Sequence, residues 1–204
     1  MNTTLIEKYA IVILAAGRSV RLGSPKQLLT YKGKSLLKHS VDSALETGCR
    51  SVFVILGANI ELMRKELKDK PVFLVENTRW QEGLSSSIRC GLEILESAQL
   101  MPDNVIFMLC DQPYVTASLL LRLIEKQQEA GKPIVASSYE DKMGTPALFH
   151  KIIFPALLEL TGDKGAQQLI TANLDKVATV QFPEGITDID TAEEYTLLLK
   201  KNDT

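Results

Sequence analysis

Short apolar runs rich in β-branched residues recur along this chain, and each is followed by an amphipathic stretch with helical spacing. Residues 9–14 (YAIVIL) form the first such run, which suits a strand covered on both faces of a parallel sheet. Ser35 can cap a helix reaching about Thr47, with Leu36, Leu37, Val41, Ala44 and Leu45 on one face and Gly48 as its stop. The pattern then repeats: strands at 51–56, 72–75 and 104–109, and helices from Asn59 to Lys68, over 83–98, and from Thr116 to Ala130. After a strand at 134–138 the signals weaken. Residues 147–149 read as strand, 154–160 and 166–172 as short helices, 177–181 as strand, and Thr191 starts a last helix. Strands alternating with helices imply an α/β sandwich with a mostly parallel sheet. Ligands in such sheets bind outside the carboxyl ends of the strands, which directs attention to the loops after Leu14, Leu56, Val75 and Leu109.

A chain of 204 residues with 45% hydrophobic content buries a sizeable core and is expected to form one domain over 1–204. A net charge of −2 gives no basic footprint for nucleic acid or a membrane surface. The three cysteines, Cys49, Cys90 and Cys110, form no C-x-x-C pair; they read as small buried thiols in a reducing cytosol. Residues 1–8 carry no secretory pattern, and no apolar run reaches the ~20 residues of a membrane span. The expected location is cytoplasmic.

The loop after the first strand runs L-A-A-G-R-S-V-R-L-G-S-P-K-Q, from Leu14 to Gln27. Small residues (Leu14-Ala15-Ala16-Gly17) let backbone N–H groups approach a phosphate, and Arg21 and Lys26 supply cations, Arg as a fork and Lys as a point charge. It is not a dinucleotide loop, since Gly17 and Gly23 have the wrong spacing for G-x-G-x-x-G. Gly33-Lys34-Ser35 is not a P-loop end, because its first glycine falls at Leu28; it reads as a turn and a helix cap.

Downstream, Gly83-Leu84-Ser85-Ser86-Ser87 opens a helix with more hydroxyls than a cap needs, beside free N–H groups at the positive helix end. Asp111, in Cys110-Asp111-Gln112-Pro113, stands at a strand's carboxyl end, where one or two carboxylates suffice to hold Mg²⁺ against substrate phosphates. Asp188 and Asp190, two residues apart on one face of an extended segment, can supply a second ligand, while Asp190 or Thr191 caps the last helix.

These motifs, with Gly144-Thr145-Pro146-Ala147-Leu148-Phe149 and the GDKGA segment at 162–166, resemble the molybdenum cofactor cytidylyltransferase branch of the nucleotidylyltransferase superfamily over residues 9–198. Ala192 stands where that family often has proline, a helix-starting residue without chemistry. The resemblance implies a three-layer, glycosyltransferase-A-like (Rossmann-like) fold with a seven-stranded mixed sheet. About 9–115 would bind nucleotide, and about 116–198 would bind the acceptor and complete the sheet. It implies Mg²⁺ held by Asp111, Asp190 and Asp188, catalysis by Arg21, Lys26 and Asp111, and nucleotide contacts from Leu14 to Gly17, Asn77 and Ser85 to Ser87. Gly144, Pro146, Asp163 and Lys164 would serve the acceptor. The reaction implied is transfer of CMP from CTP to the phosphate of molybdopterin, with a molybdoenzyme or its maturation factors as further partners.

Two other readings share parts of this pattern. A sugar- or polyol-phosphate nucleotidylyltransferase would use the same loop and carboxylate, and a non-catalytic nucleotide- or cofactor-binding protein would not need the Lys26 and Asp111 charges. Lys26, taken as a solvated loop cation, is expected to add little to stability. His39 and His150 lack metal-ligand spacing and read as structural, as does the charge run over 64–70. Trp80 suits a base-pocket wall and plain packing equally.

Overall fold

A computed structural model describes residues 8–19, 22–100 and 102–200. Strand β1 (Tyr9–Ala15) is buried at every position, as an apolar run on both faces requires. It pairs in parallel with β4 (Val52–Leu56) on one side and β6 (Asn104–Leu109) on the other, with Ile13 opposite Val54 and Met108. Strand β5 (Phe73–Glu76) extends the sheet beyond β4. On the other side β8 (Lys142–His150) runs antiparallel between β6 and β7 (Ile134–Tyr139), and β9 (Val177–Gln181) closes the sheet parallel to β7. Among the described residues the order is β5-β4-β1-β6-β8-β7-β9, a seven-stranded mixed sheet.

Alternate residues of β1 sort into two cores. Tyr9, Ile11 and Ile13 meet helices α1 (Leu36–Leu45), α2 (Ile60–Glu66) and α4 (Ala117–Ala130), through Val41, Met63 and Leu123 among others. Ala10, Val12 and Leu14 meet α3 (Leu84–Ser97), α5 (Phe154–Leu158) and α6 (Gln167–Ala172), through Ile88, Leu157 and Ile170. Helix, sheet, helix is the three-layer α/β sandwich expected. The last helix, α7 (Ala192–Lys200), buries Leu198 in a small separate cluster with Tyr31, Leu36 and Ile189. No helix among the described residues is long and apolar enough to cross a membrane.

The local signals at helix starts are mostly realised. Ser35 Oγ accepts from Lys38 N–H at 3.1 Å and Thr116 Oγ1 from Leu119 N–H at 3.3 Å. Asn59 differs: it holds the cap position in a left-handed conformation, and its side chain makes no cap bond. The Gly33 turn joins two short strands, β2 (Thr30–Tyr31) and β3 (Lys34–Ser35), a hairpin not expected from so few residues. The largest difference is β8, nine residues long where residues 147–149 carry the apolar signal. Its first part alternates polar and small residues, and it is strand because Met143 and Gly144 pair with Ser138 and Ser137 across a register shift.

Candidate active site

The carboxyl ends of β1 and β6 open into a cleft of about 530 Å³. A second depression, about 640 Å³, lies away from these strand ends, between the β2–β3 hairpin and α2. Each of its three lysines meets a carboxylate, Lys34 and Lys70 on Asp42 and Lys38 on Glu66. The site is therefore placed at the strand ends, where a parallel sheet directs its ligands.

Leu14, Ala15, Ala16 and Gly17 form one wall of the cleft. Gln27, buried just after Lys26, holds that wall in shape: its Nε2 donates to Ala15 O at 3.0 Å and to Gly17 O at 2.8 Å. The backbone N–H of Lys26 donates to Ser19 Oγ at 3.0 Å, folding the loop back under the strand. Gln27 had no separate signal in the sequence; only the spacing of its amide from two carbonyls reveals it.

Lys26 reaches across the cleft. Its Nζ pairs with Asp111 Oδ2 and, at 2.8 Å, with Asp190 Oδ1. Burial alone would lower the Lys26 pKa; the Asp111 charge and hydrogen bonds to Asp111 and Asp190 outweigh it, so the pKa is raised and the ammonium stays charged. This corrects the expectation of a solvated loop cation. Asp190 is available for the pair because Thr191 takes the capping role. Thr191 Oγ1 accepts from Glu194 N–H at 3.2 Å, and Glu194 Oε2 accepts from Asp190 N–H and Thr191 N–H, both at 2.8 Å. That reciprocal arrangement is a capping box.

Asp188 joins Asp111 and Asp190 in the lining. Gln112 Nε2 donates to Thr145 O at 3.2 Å and lies 3.5 Å from Gly185 O, tying the loop after β6 to β8 and to the turn before Asp188. Loss of solvent in the cleft and then the Asp111 charge push the Asp188 carboxyl up to about 7, against the Gln112 amide and the Lys26 charge. Asp188 is nonetheless exposed at the cleft mouth, so solvent screening weakens the effect. The folded chain holds a proton there from the ordinary 3.8 up to about 7, a window in which the unfolded chain has lost it. Stability therefore falls as pH rises through that window. Asp188→Asn in metal-free buffer is expected to be more stable than wild type near pH 8, with the gain vanishing near pH 4. Melting temperatures at the two pH values check this, and an equal difference at both would refute it.

Asp111 Oδ1 is buried and has no hydrogen-bond partner among the described residues. An orphaned carboxylate oxygen beside two further carboxylates is a hard-oxygen donor set that suits a small divalent cation. Among the described residues no group of three His, Cys, Asp or Glu is arranged to hold a metal by itself. Magnesium-type sites complete their shell with substrate phosphates and water, so the donor set fits a metal that arrives with its substrate. The neighbouring Cys110 is no nucleophile, since burial and then the Asp111 charge push its thiol up to about 12.

The remaining expected residues divide. Ser87, Asp163 and Trp80 line the cleft. Asn77, Ser85 and Ser86 lie just behind the lining and are buried. Asn77 Nδ2 donates to Ser86 Oγ at 2.9 Å and Ser87 Oγ at 3.1 Å, locking the first turn of α3. Gly144 and Pro146 sit within β8 outside the lining, with Gly144 against the Tyr139 ring and Pro146 O accepting from Ser137 Oγ at 2.7 Å. Lys164 is exposed outside the cleft lining. Arg21 lies outside the described residues. His39 contacts Tyr31 O and His150 Nδ1 accepts from Ile152 N–H at 3.4 Å, both local structural contacts.

Residues 11–177 match the family described as MobA-like NTP transferase domain. Nicotine blue oxidoreductase of Paenarthrobacter nicotinovorans is 29% identical over 197 residues, covering 92% of this chain and 95% of that protein. Purine catabolism protein PucB of Bacillus subtilis (strain 168) is 28% identical over 201 residues, covering 92% and 94%. Among solved structures, Rv0371c from Mycobacterium tuberculosis H37Rv is similar at a TM-score of 0.79 and 32% identity, covering 94% of this chain and 97% of that one. A structure of Rv0371C in complex with manganese has a TM-score of 0.75 and 29% identity, covering 94% and 98%. With the family match spanning most of the sheet and the whole of the first loop, the chain belongs to the MobA-like NTP transferase domain family.

Proposed function

We propose that this nucleotidyltransferase moves CMP from CTP to the terminal phosphate of molybdopterin or the molybdenum cofactor, releasing pyrophosphate. The observation that carries the reading is the meeting of Lys26, Asp111 and Asp190 at the mouth of the glycine loop. Asp111 and Asp190, with Asp188 beside them, would hold Mg²⁺, which when bound offsets phosphate charge and makes the α-phosphorus more electrophilic. A phosphate oxygen of the acceptor attacks that phosphorus, and the bond to the β-phosphate oxygen breaks. Such a reaction needs positioning and charge stabilisation more than covalent chemistry. Lys26 and Arg21 supply positive charge to the transition state and the leaving pyrophosphate, while backbone N–H groups of the 14–17 loop fix the nucleotide. Ser87 serves the nucleoside, and Gly144, Pro146 and Lys164 the acceptor side. The manganese complex of Rv0371C supports a divalent ion in this family.

The test is pyrophosphate release with Mg²⁺ and each of CTP, GTP, UTP and ATP, using molybdopterin and then sugar phosphates as acceptors. Release with CTP and molybdopterin supports the reading; release only with a sugar phosphate replaces the acceptor; nucleotide binding without release with any acceptor leaves a binding protein. The name of the 29% identical relative makes a redox assay the control for the same preparations.

Base size is set by Ala16. It lines the cleft, and its carbonyl accepts from Ala58 N–H at 3.0 Å, so its Cβ cannot swing away. A pyrimidine fits against that methyl more easily than a purine. Ala16→Gly is expected to narrow the preference for CTP over GTP by ~10-fold, within the 10–200-fold reach of a size-excluding pocket. Competition binding measures it, and wild-type protein that binds GTP as tightly as CTP would sink the assignment.

A further inference from the structure

The GDKGA turn is built into the start of α3. Ser85 N–H donates to Gly162 O at 3.1 Å, closing one of the helix's first amides. Gly83 stands at the cap position with φ +95°, and a Cβ there would lie 2.3 Å from Asp163 Oδ1 and 2.8 Å from Gly162 C and O. Gly165, at φ +54°, lets the turn descend onto Leu84, since a Cβ would come within 2.7 Å of Leu84 Cδ2. Two glycines are thus spent on bringing one carboxylate to the rim of the cleft. Asp163 makes no hydrogen bond or ion pair there among the described residues.

The surroundings of that carboxylate say what it can meet. Trp80, Gly83 and Ser87 line the same cleft, and Gly57 fits between Trp80 and the first loop, since a Cβ there would lie 2.7 Å from Trp80 Cβ and Cγ and 2.8 Å from Ala16 O. A flat aromatic wall closed by small residues accommodates a heteroaromatic base. The triphosphate belongs beside Lys26, and Asp163 would repel it. We propose that Asp163 accepts the exocyclic amine of cytosine and is the residue that excludes uracil nucleotides. This rests on the reading of the cleft as a CTP site and moves Asp163 from the acceptor to the nucleotide. A carboxylate only accepts hydrogen bonds. Cytosine offers a donor at the position where uracil offers a carbonyl, so uracil would set two acceptors face to face. Ala16 excludes by size and Asp163 by hydrogen-bond sense, and together they leave cytosine.

The alternative for Asp163 is a charge that favours the positive end of α3. That role would move the melting temperature and leave the nucleotide ratio alone. The experiment is competition binding of CTP, UTP, GTP and 2′-deoxy-CTP with Mg²⁺ to wild type, Asp163→Asn and Asp163→Glu, alongside melting temperatures. Wild type is expected to prefer CTP over UTP by ~10-fold, the lower end for one mispaired polar group, because Asp163 is exposed before the base covers it. Asn can turn its amide to either base, so Asp163→Asn should bring the ratio to within ~3-fold, mainly by tighter UTP binding. Asp163→Glu keeps an acceptor and should keep the ratio while weakening both. An unchanged CTP:UTP ratio in Asp163→Asn overturns the proposal, as does a change confined to CTP against 2′-deoxy-CTP, which would put the carboxylate on the ribose. Wild type that prefers CTP to GTP but not to UTP overturns this inference alone. Wild type indifferent to all four overturns the CTP reading as well.

Discussion

Asp111→Asn is expected to lower kcat by ~10²–10³ while leaving the fold intact, because it removes one charged contributor to the transition state and keeps its shape. Asp111 lies two residues past Leu109, the last residue of β6, a strand buried along nearly its whole length. Its backbone is also anchored, since Ile189 N–H donates to Asp111 O at 3.2 Å. The substitution leaves those contacts in place and neutralises the carboxylate that, among the described residues, both pairs with Lys26 and carries a buried oxygen without a hydrogen-bond partner. Steady-state rates at saturating divalent ion, with circular dichroism as the folding control, decide the point. Activity within a few-fold of wild type would remove Asp111 from the metal site.

Lys26→Ala is expected to fail in two ways at once. Its ammonium is removed from the triphosphate, so kcat/KM for the nucleotide should fall by ~10²–10³. It is also removed from between two carboxylates, so Asp111 and Asp190 lose the ammonium that they share. The Lys26 side chain is 17% exposed, Asp111 9% and Asp190 37%, so the cost lies below that of a fully buried pair. Breaking such a pair costs about 3–5 kcal/mol when fully buried; on the order of 2–3 kcal/mol is expected here, or roughly 5–10 °C in Tm for a domain of this size. The double variant Lys26→Ala/Asp111→Asn removes charge and counter-charge together. It should regain part of the lost stability and none of the activity. A single variant that melts within about 2 °C of wild type would show that the bridge contributes nothing.

What was legible beforehand was whatever the chain writes locally. The two cores follow from apolar spacing within β1, α1 and α3, and the cleft follows from small residues and charges directly after β1 and β6. Contacts between distant segments were not legible. Lys26 read as a solvated cation because its second partner, Asp190, lies 164 residues away. Asp190 and Thr191 competed for one cap, and only Glu194 folding back on Thr191 resolves it. Gln27 and Asn77 act through buried amides whose partners no spacing names. That the GDKGA turn meets the start of α3, through Gly162 O and Ser85 N–H, was equally hidden, because nothing in the order of those residues shows it. The early part of β8 was missed because its polar alternation becomes strand only against β7.

The placement of β8 also governs how the chain comes together. It follows β7 in sequence yet lies between β6 and β7, so the central strand β6 has an open edge until residues 142–150 are available. Val105, Ile106 and Phe107 pair there with Phe149, Leu148 and Ala147. An exposed, apolar, unpaired edge recruits other strands, including those of neighbouring chains. A fragment ending near residue 115 would carry the glycine loop, the serine helix and Asp111, and would present that edge permanently. Its expected fate is aggregation, so on a ribosome the interval between β6 and β8 is when this protein most needs protection.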